Sequence, residues 1–168
     1  MEFFELLRKR QSIRRWLDSP IEQTQLNCIF EAVNRGPSAG NFQAYEVYVL
    51  KSAEKRKEIA AATWDQAFIA NAPVILAFCA HPSRCEYPGA ETYALEDTSI
   101  ACTFAMLAVT ALGLGSVWIG AFDPKAIARV MSLPEDQTPI ALLPIGYPAE
   151  TPERTSRRGV EDFVHDLK

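Results

Sequence analysis

Apolar residues at Phe3, Phe4, Leu6 and Leu7 form one face of a first helix, which should end near Gln11 or Ser12. A turn bearing Arg14 follows. Beyond Pro20, Leu26, Ile29, Phe30 and Val33 recur at i, i+3, i+4 and i+7, so a second helix runs until Gly36-Pro37 stops it. Pro37 to Gln43 is then a loop. Glu46 to Leu50 alternates with β-branched and aromatic residues as a strand does, and Ser52 can cap a helix from Ala53 to Trp64. Val74 to Ala80 reads VILAFCA, an unbroken apolar strand whose burial on both faces requires helices on either side of a sheet.

Pro82 and Pro88 bracket a polar loop, Ser83 to Gly89. The spacing of Ile100, Phe104, Leu107 and Leu112 predicts a buried helix from about Glu96 to Leu112, and Gly113 and Gly115 turn the chain into a strand, Ser116 to Ile119. Asp123 caps another short helix with Pro124 in its first position. Ile140 to Ile145 is the last strand, ended by Gly146-Tyr147-Pro148. With no internal repeat and no linker, residues 1–168 read as a single α+β domain. The tail from Ala149 to Lys168 has only one apolar stripe, Val160, Phe163, Val164 and Leu167, and should pack on something else.

Thr98 to Phe122 contains no charged residue and is long enough to span a bilayer. Its interruptions, Thr98, Ser99, Thr103, Thr110 and Ser116 together with Gly113, Gly115 and Gly120, instead indicate a buried core helix entering a buried strand, with no membrane as partner. The formal net charge of −4 disfavours nucleic acid. The N-terminus mixes acidic and apolar residues and has no long apolar core, so a cytoplasmic location is expected.

Cys28, Cys79, Cys85 and Cys102 form no Cys-x-x-Cys pair, which predicts reduced, buried thiols. Cys79, His81 and Cys85 lack a regularly spaced fourth ligand, so no metal is expected. No serine sits in a Gly-x-Ser-x-Gly elbow, and the run GLGSVWIG follows a helix without the spacing of a dinucleotide loop. What remains is cationic: Arg8, Lys9, Arg10, Arg14 and Arg15 near one end, and Arg154, Arg157 and Arg158 near the other. Two local basic ends on an acidic chain suit a small anion.

Three patches stand in order: Arg10-Gln11-Ser12-Ile13-Arg14, Pro37-Ser38-Ala39-Gly40-Asn41-Phe42-Gln43, and the run from Gly113 to Gly120. With the late Gly-Tyr-Pro and the basic tail, the chain resembles the nitroreductase family over nearly its whole length. The resemblance implies a three-layer α+β fold, its central, mostly antiparallel sheet flanked by helices, in a homodimer with exchanged C-terminal arms and FMN at the subunit interface. Arg10, Gln11, Ser12 and Arg14 would then meet the phosphate, ribityl chain and pyrimidine edge of FMN, and Arg157 would reach the phosphate, helped by Arg158 or Arg154. Pro37, Ser38 and Ala39 would lie beside the isoalloxazine from the other subunit, with Asn41 on its polar edge and Gln43 supporting the loop. Gly120 and Ala121 would bring backbone N–H groups to flavin N5 and O4.

On this resemblance flavin N5 carries the chemistry and no side chain is catalytic. NADH or NADPH would donate hydride in a ping-pong cycle, and a nitroaromatic, quinone or related small molecule would accept it. A specialised flavin-dependent reductase or dehalogenase-like enzyme, and a non-catalytic flavin-binding or sensing dimer, are the alternatives. The chain departs from the family in three runs. Gln43-Ala44-Tyr45 stands where the family often has Gln-Pro-Trp, Thr103-Phe104 where it has Gln-Asn, and Thr155-Ser156-Arg157 where it has Lys-x-Arg. It is also short for the family, with little chain left for a substrate lid.

Overall fold

The run VILAFCA is the strand on which the two sides of the molecule meet. A computed structural model describes residues 2–64 and 66–167. In chain order its elements are α1 (Phe3–Lys9), α2 (Gln23–Asn34), β1 (Tyr45–Leu50), α3 (Ala53–Ala61), β2 (Val74–Ala80), α4 (Ala90–Ala111), β3 (Gly115–Ser116), α5 (Pro124–Met131) and β4 (Thr138–Gly146). The sheet order is β1-β2-β4-β3, every pairing antiparallel. β2 is buried at every position.

Because side chains alternate along a strand, β2 feeds two cores. Ile75 and Ala77 join Leu142 of β4, Ile59 of α3 and Ile127 of α5 on one side. Val74, Leu76 and Phe78 join Leu143 and Ile145 of β4, with Leu26, Ile29 and Val33 of α2 and Ala101, Cys102, Ala105 and Val109 of α4, on the other. The result is a helix–sheet–helix sandwich. Each of these large side chains contributes about 1.5–3 kcal/mol by leaving water. α4 is long and apolar enough by length and composition to cross a membrane. It nevertheless packs against α2, β2 and β4 and buries Ala94, Asp97, Thr98 and Ala101 as a core helix.

Tertiary partners move several of the expected boundaries. α1 stops at Lys9 because Ser12 bridges Ser116 in parallel, which a continuing helix could not do. It buries none of its residues, leaving Phe3 56% and Phe4 69% exposed. α3 ends at Ala61, not Trp64, since Thr63 bridges Phe122. α4 begins at Ala90, earlier than the apolar period suggested, because its first turn carries Glu91 and Thr92, polar and exposed, and gives no apolar signal. The regular part of β3 is only Gly115–Ser116, with Ile119 pairing separately to Leu142. Cys28 is exposed on α2 and corrects the expectation that the thiols are buried, while Cys79, Cys85 and Cys102 meet it.

Gly115 lies where the sheet receives the chain leaving α1. A Cβ there would fall 2.8 Å from Ile13 Cγ1 and 2.9 Å from Ile13 Cβ, an atom that moves only with its backbone. Gly115→Ala should therefore destabilise the fold by about 1–3 kcal/mol through overpacking. Urea unfolding of the two proteins measures it, and equal midpoints would show that the strip beside β3 can give way.

Candidate functional site

Residues 10 to 17 leave α1 as an extended strip along the free edge of β3. Ile13 N–H donates to Ser116 O at 2.9 Å, Leu17 N–H to Tyr147 O at 2.9 Å, and Ala149 N–H to Arg15 O at 2.9 Å. Ile13 and Trp16 face inward and are buried, Trp16 donating its indole N–H to Gly115 O at 3.0 Å. Arg14 and Arg15 are exposed. Glu150 accepts from both of their backbone N–H groups, at 2.6 and 3.2 Å, and Gln11 Nε2 donates to Pro152 O at 3.0 Å. The strip and the tail segment after β4 are thus stitched face to face.

Between them opens a cavity of about 280 Å³. Leu7, Arg10, Gln11, Ser12 and Arg14 form one wall, and Pro152, Glu153, Arg154, Thr155 and Arg157 the other. Four arginines and one acidic residue, Glu153, line it, and among the described residues none of the four arginines is in an ion pair. Arg157 Nη1 donates to Thr155 Oγ1 at 2.9 Å and to Ser156 O at 3.3 Å, which restrains its fork. Cations gathered at such density repel one another, and an anion with several acceptor oxygens relieves that repulsion. Of the two helpers expected for Arg157, Arg154 lines the cavity, whereas Arg158 stacks its guanidinium 4.9 Å from the centre of the Phe163 ring.

Pro37 to Gln43 is placed elsewhere. Ala39–Asn41 forms a 3-10 turn in which Gly40 (φ 54°) and Asn41 (φ 59°) are left-handed, and Gln43 (φ 51°) is so as well. Two of these three are not glycine, so the loop carries backbone strain that its surroundings must hold. Ser38 Oγ accepts from Gln43 N–H at 3.2 Å. Asp97 of α4, only 2% exposed, accepts from Ala39 N–H at 2.9 Å through Oδ1 and from Ala44 N–H at 3.1 Å through Oδ2. Burial, and after it the Asp97 charge, push the Tyr45 phenol above its usual range. Sequence reasoning missed Asp97. The available signal was its position on the helix face that also carries Ala94 and Ala101, where a solvated acid does not belong.

Gly120 and Ala121 form a third, exposed patch between the Ile119–Leu142 and Thr63–Phe122 bridges. Gln66 Nε2 donates to Ala121 O at 2.7 Å. Neither this patch nor Pro37 to Gln43 lines the arginine cavity. The loop is anchored at Asp97 in the first half of α4, whereas Ser12 bridges a strand that begins beyond the end of that helix. Roughly 21 Å of helix axis separates Asp97 from Ala111 at 1.5 Å per residue. One chain therefore does not bring the expected site residues together.

The sequence model of the nitroreductase family matches residues 7–73 and 61–147. The chain belongs to the nitroreductase family. An FMN reductase (NAD(P)H) of Bacillus subtilis (strain 168) is 33% identical over 181 residues, covering 98% of this chain and 73% of that protein. The crystal structure of a nitroreductase family protein from Clostridium difficile 630 superposes with a TM-score of 0.88 at 30% identity, covering 98% of each chain. The NADPH:FMN oxidoreductase of Vibrio harveyi, solved with NAD+, shares the fold at a TM-score of 0.92 and 24% identity, with 98% of this chain and 76% of that one covered.

This nitroreductase-family chain carries a second polar cluster, apart from the arginine cavity. His81 stands between Glu46, 2.9 Å from Nδ1, and Asp136, 3.0 Å from Nε2, joining β1 to the turn before β4. Among the described residues no group of three or more His, Cys, Asp or Glu is placed to hold a metal ion. The Cys79 thiol is pushed up to about 12, chiefly by burial and secondarily by the Glu46 charge, and burial raises Cys102 as well. A disulfide-exchange reagent at pH 8 should thus label one thiol rapidly, Cys28, and the other three only after unfolding. Two or more fast equivalents in the native protein would contradict this burial.

Proposed function

We propose that this chain is an FMN-dependent NAD(P)H oxidoreductase that reduces nitroaromatic, quinone or related acceptors by a ping-pong exchange of hydride, as a homodimer with FMN at the subunit interface. Residues 1–168 act as one FMN-binding domain. The observation that carries the reading is the cavity in which Arg10, Arg14, Arg154 and Arg157 converge without carboxylate partners. Its donor set fits a terminal phosphate: guanidinium forks for the charged oxygens, with the Ser12 hydroxyl and Gln11 amide beside them. The Bacillus subtilis relative named FMN reductase supports that choice of phosphate ester.

Bound FMN would supply a two-electron carrier between a nicotinamide and an acceptor. The chain's own residues bind and orient. Arg10, Gln11, Ser12 and Arg14 would meet the phosphate, ribityl chain and pyrimidine edge, and Arg157 with Arg154 would hold the phosphate from the other wall. Pro37, Ser38 and Ala39 of a second copy would lie against the ring, with Asn41 on its polar edge and Gln43 bracing the turn. Gly120 and Ala121 would offer backbone N–H groups at the N5 side and, lacking bulk, would leave room there for nicotinamide and acceptor.

The dimer is supported by the separation of loop and cup along α4 and by apolar surface that a lone chain leaves wet. Phe3, Phe4 and Leu7 on α1 are exposed, as are Val160, Phe163, Val164 and Leu167 in the tail. Contiguous exposed apolar residues of this size mark an interaction surface. Light scattering should accordingly give twice the chain mass. A monomer that still binds FMN tightly would break the shared-site reading.

Purified protein should be yellow and release FMN, not FAD, on heating, which chromatography decides. Arg157→Ala should weaken FMN binding roughly ten- to a hundredfold, the value of about 1.5–3 kcal/mol for a hydrogen bond to a charged group. Lys9→Ala, on the exposed end of α1 and paired with Glu5, should change it by less than about threefold because solvent and salt screen it. Reduction of refilled Arg157→Ala by NAD(P)H should be nearly normal. Equal affinities of the two variants for FMN would remove Arg157 from the site.

A further inference from the structure

The Asp97 carboxylate reaches both ends of the strained turn and lies under it. Its Oδ1 takes the N–H of Ala39, just before Gly40 and Asn41, and its Oδ2 takes the N–H of Ala44, just after Gln43. All three left-handed residues of the loop fall between these two attachment points. The second attachment depends on Ala44 not being a proline, since proline has no N–H to give. Asp97 itself is held by α4, whose adjoining residues Ala94, Thr98 and Ala101 are buried in the core. A buried carboxylate that accepts from the Ala39 and Ala44 N–H groups is costly unless those bonds persist, and that cost keeps the turn closed.

We infer that Asp97 is the positioning residue of the ring-facing loop: by bridging Ala39 and Ala44 it holds Pro37 to Gln43 in the strained shape that meets the isoalloxazine, while taking no part in phosphate binding. The inference rests on the proposed flavin site. Asp97 touches neither cofactor nor substrate. Its effect reaches the ring through the loop, and the phosphate cup is built from other segments of the chain.

Asp97→Asn is the decisive variant, because it offers one acceptor oxygen where two N–H groups point and turns its amide donors toward the other. Titrations with FMN and with riboflavin separate the two ends of the ligand, since riboflavin lacks the phosphate. Asp97→Asn should weaken both about tenfold and leave their ratio unchanged, whereas Arg157→Ala should weaken FMN alone. Amide exchange of the cofactor-free protein over residues 37–44 should rise in Asp97→Asn. Val109→Ala, which removes buried volume from α4 away from the loop, serves as the control for general destabilisation and should keep both affinities well below its melting temperature. If Asp97→Asn does not fold, Asp97→Glu keeps the charge but displaces the oxygens by a methylene, and should weaken both flavins severalfold.

Wild-type affinities for both flavins in a folded Asp97 variant overturn the inference, as does an equal loss in Val109→Ala. Wild-type protein that takes up no flavin overturns the functional reading first, and the inference with it, before any variant is compared.

Discussion

The strip from Arg10 to Leu17 must satisfy its backbone at the edge of a sheet, and the candidate site follows from how it does so. Ile13 N–H, Leu17 N–H and Arg15 O find partners on β3 and on the segment after β4, and Trp16 locks the arrangement with an indole bond to Gly115. Buried backbone groups left unpaired would cost more than such bonds return, so the strip has little freedom to slide. Its inward residues are apolar, and Arg14 is turned out toward the tail. The same pairing brings Arg154 and Arg157 opposite Arg10 and Arg14, residues far apart in the chain. Cup and sheet edge are one construction.

α4 imposes the second constraint. It runs across one face of the sheet beside α2, with the Pro37–Gln43 loop tied to its first half and the strip and cup beyond its other end. A rigid helix keeps those patches apart within one chain, and the proposed two-chain site follows from that separation. The apolar residues left exposed on α1 and in the tail lie outside the two cores, where a second copy can cover them.

Strain and charge are balanced at one place within α4. Left-handed Asn41 and Gln43 need an external hold, and a buried Asp97 needs donors; each supplies what the other lacks. The family's common Gln-Pro-Trp would supply no N–H at the position of Ala44. This substitution in the chain is therefore matched by a hydrogen bond, and the loop is held from both ends.

Much was legible in the sequence because it depends on local periodicity. The VILAFCA run announced a strand buried on both faces, the i, i+3, i+4 pattern of Leu26, Ile29 and Phe30 announced α2, and Ser52 and Asp123 do cap α3 and α5. Ordered motifs were enough for the family, since residue type and spacing carry that information directly. Helix ends at Lys9 and Ala61 were not legible, because bridges to Ser116 and Phe122, distant in sequence, decide them. Nor could spacing choose Arg154 over Arg158, or show that Asp97, on the buried face of α4, reaches the N–H groups of Ala39 and Ala44. Those choices depend on which side chains a long-range pairing turns toward a cavity, a core or water, and only the closed tertiary structure makes that pairing.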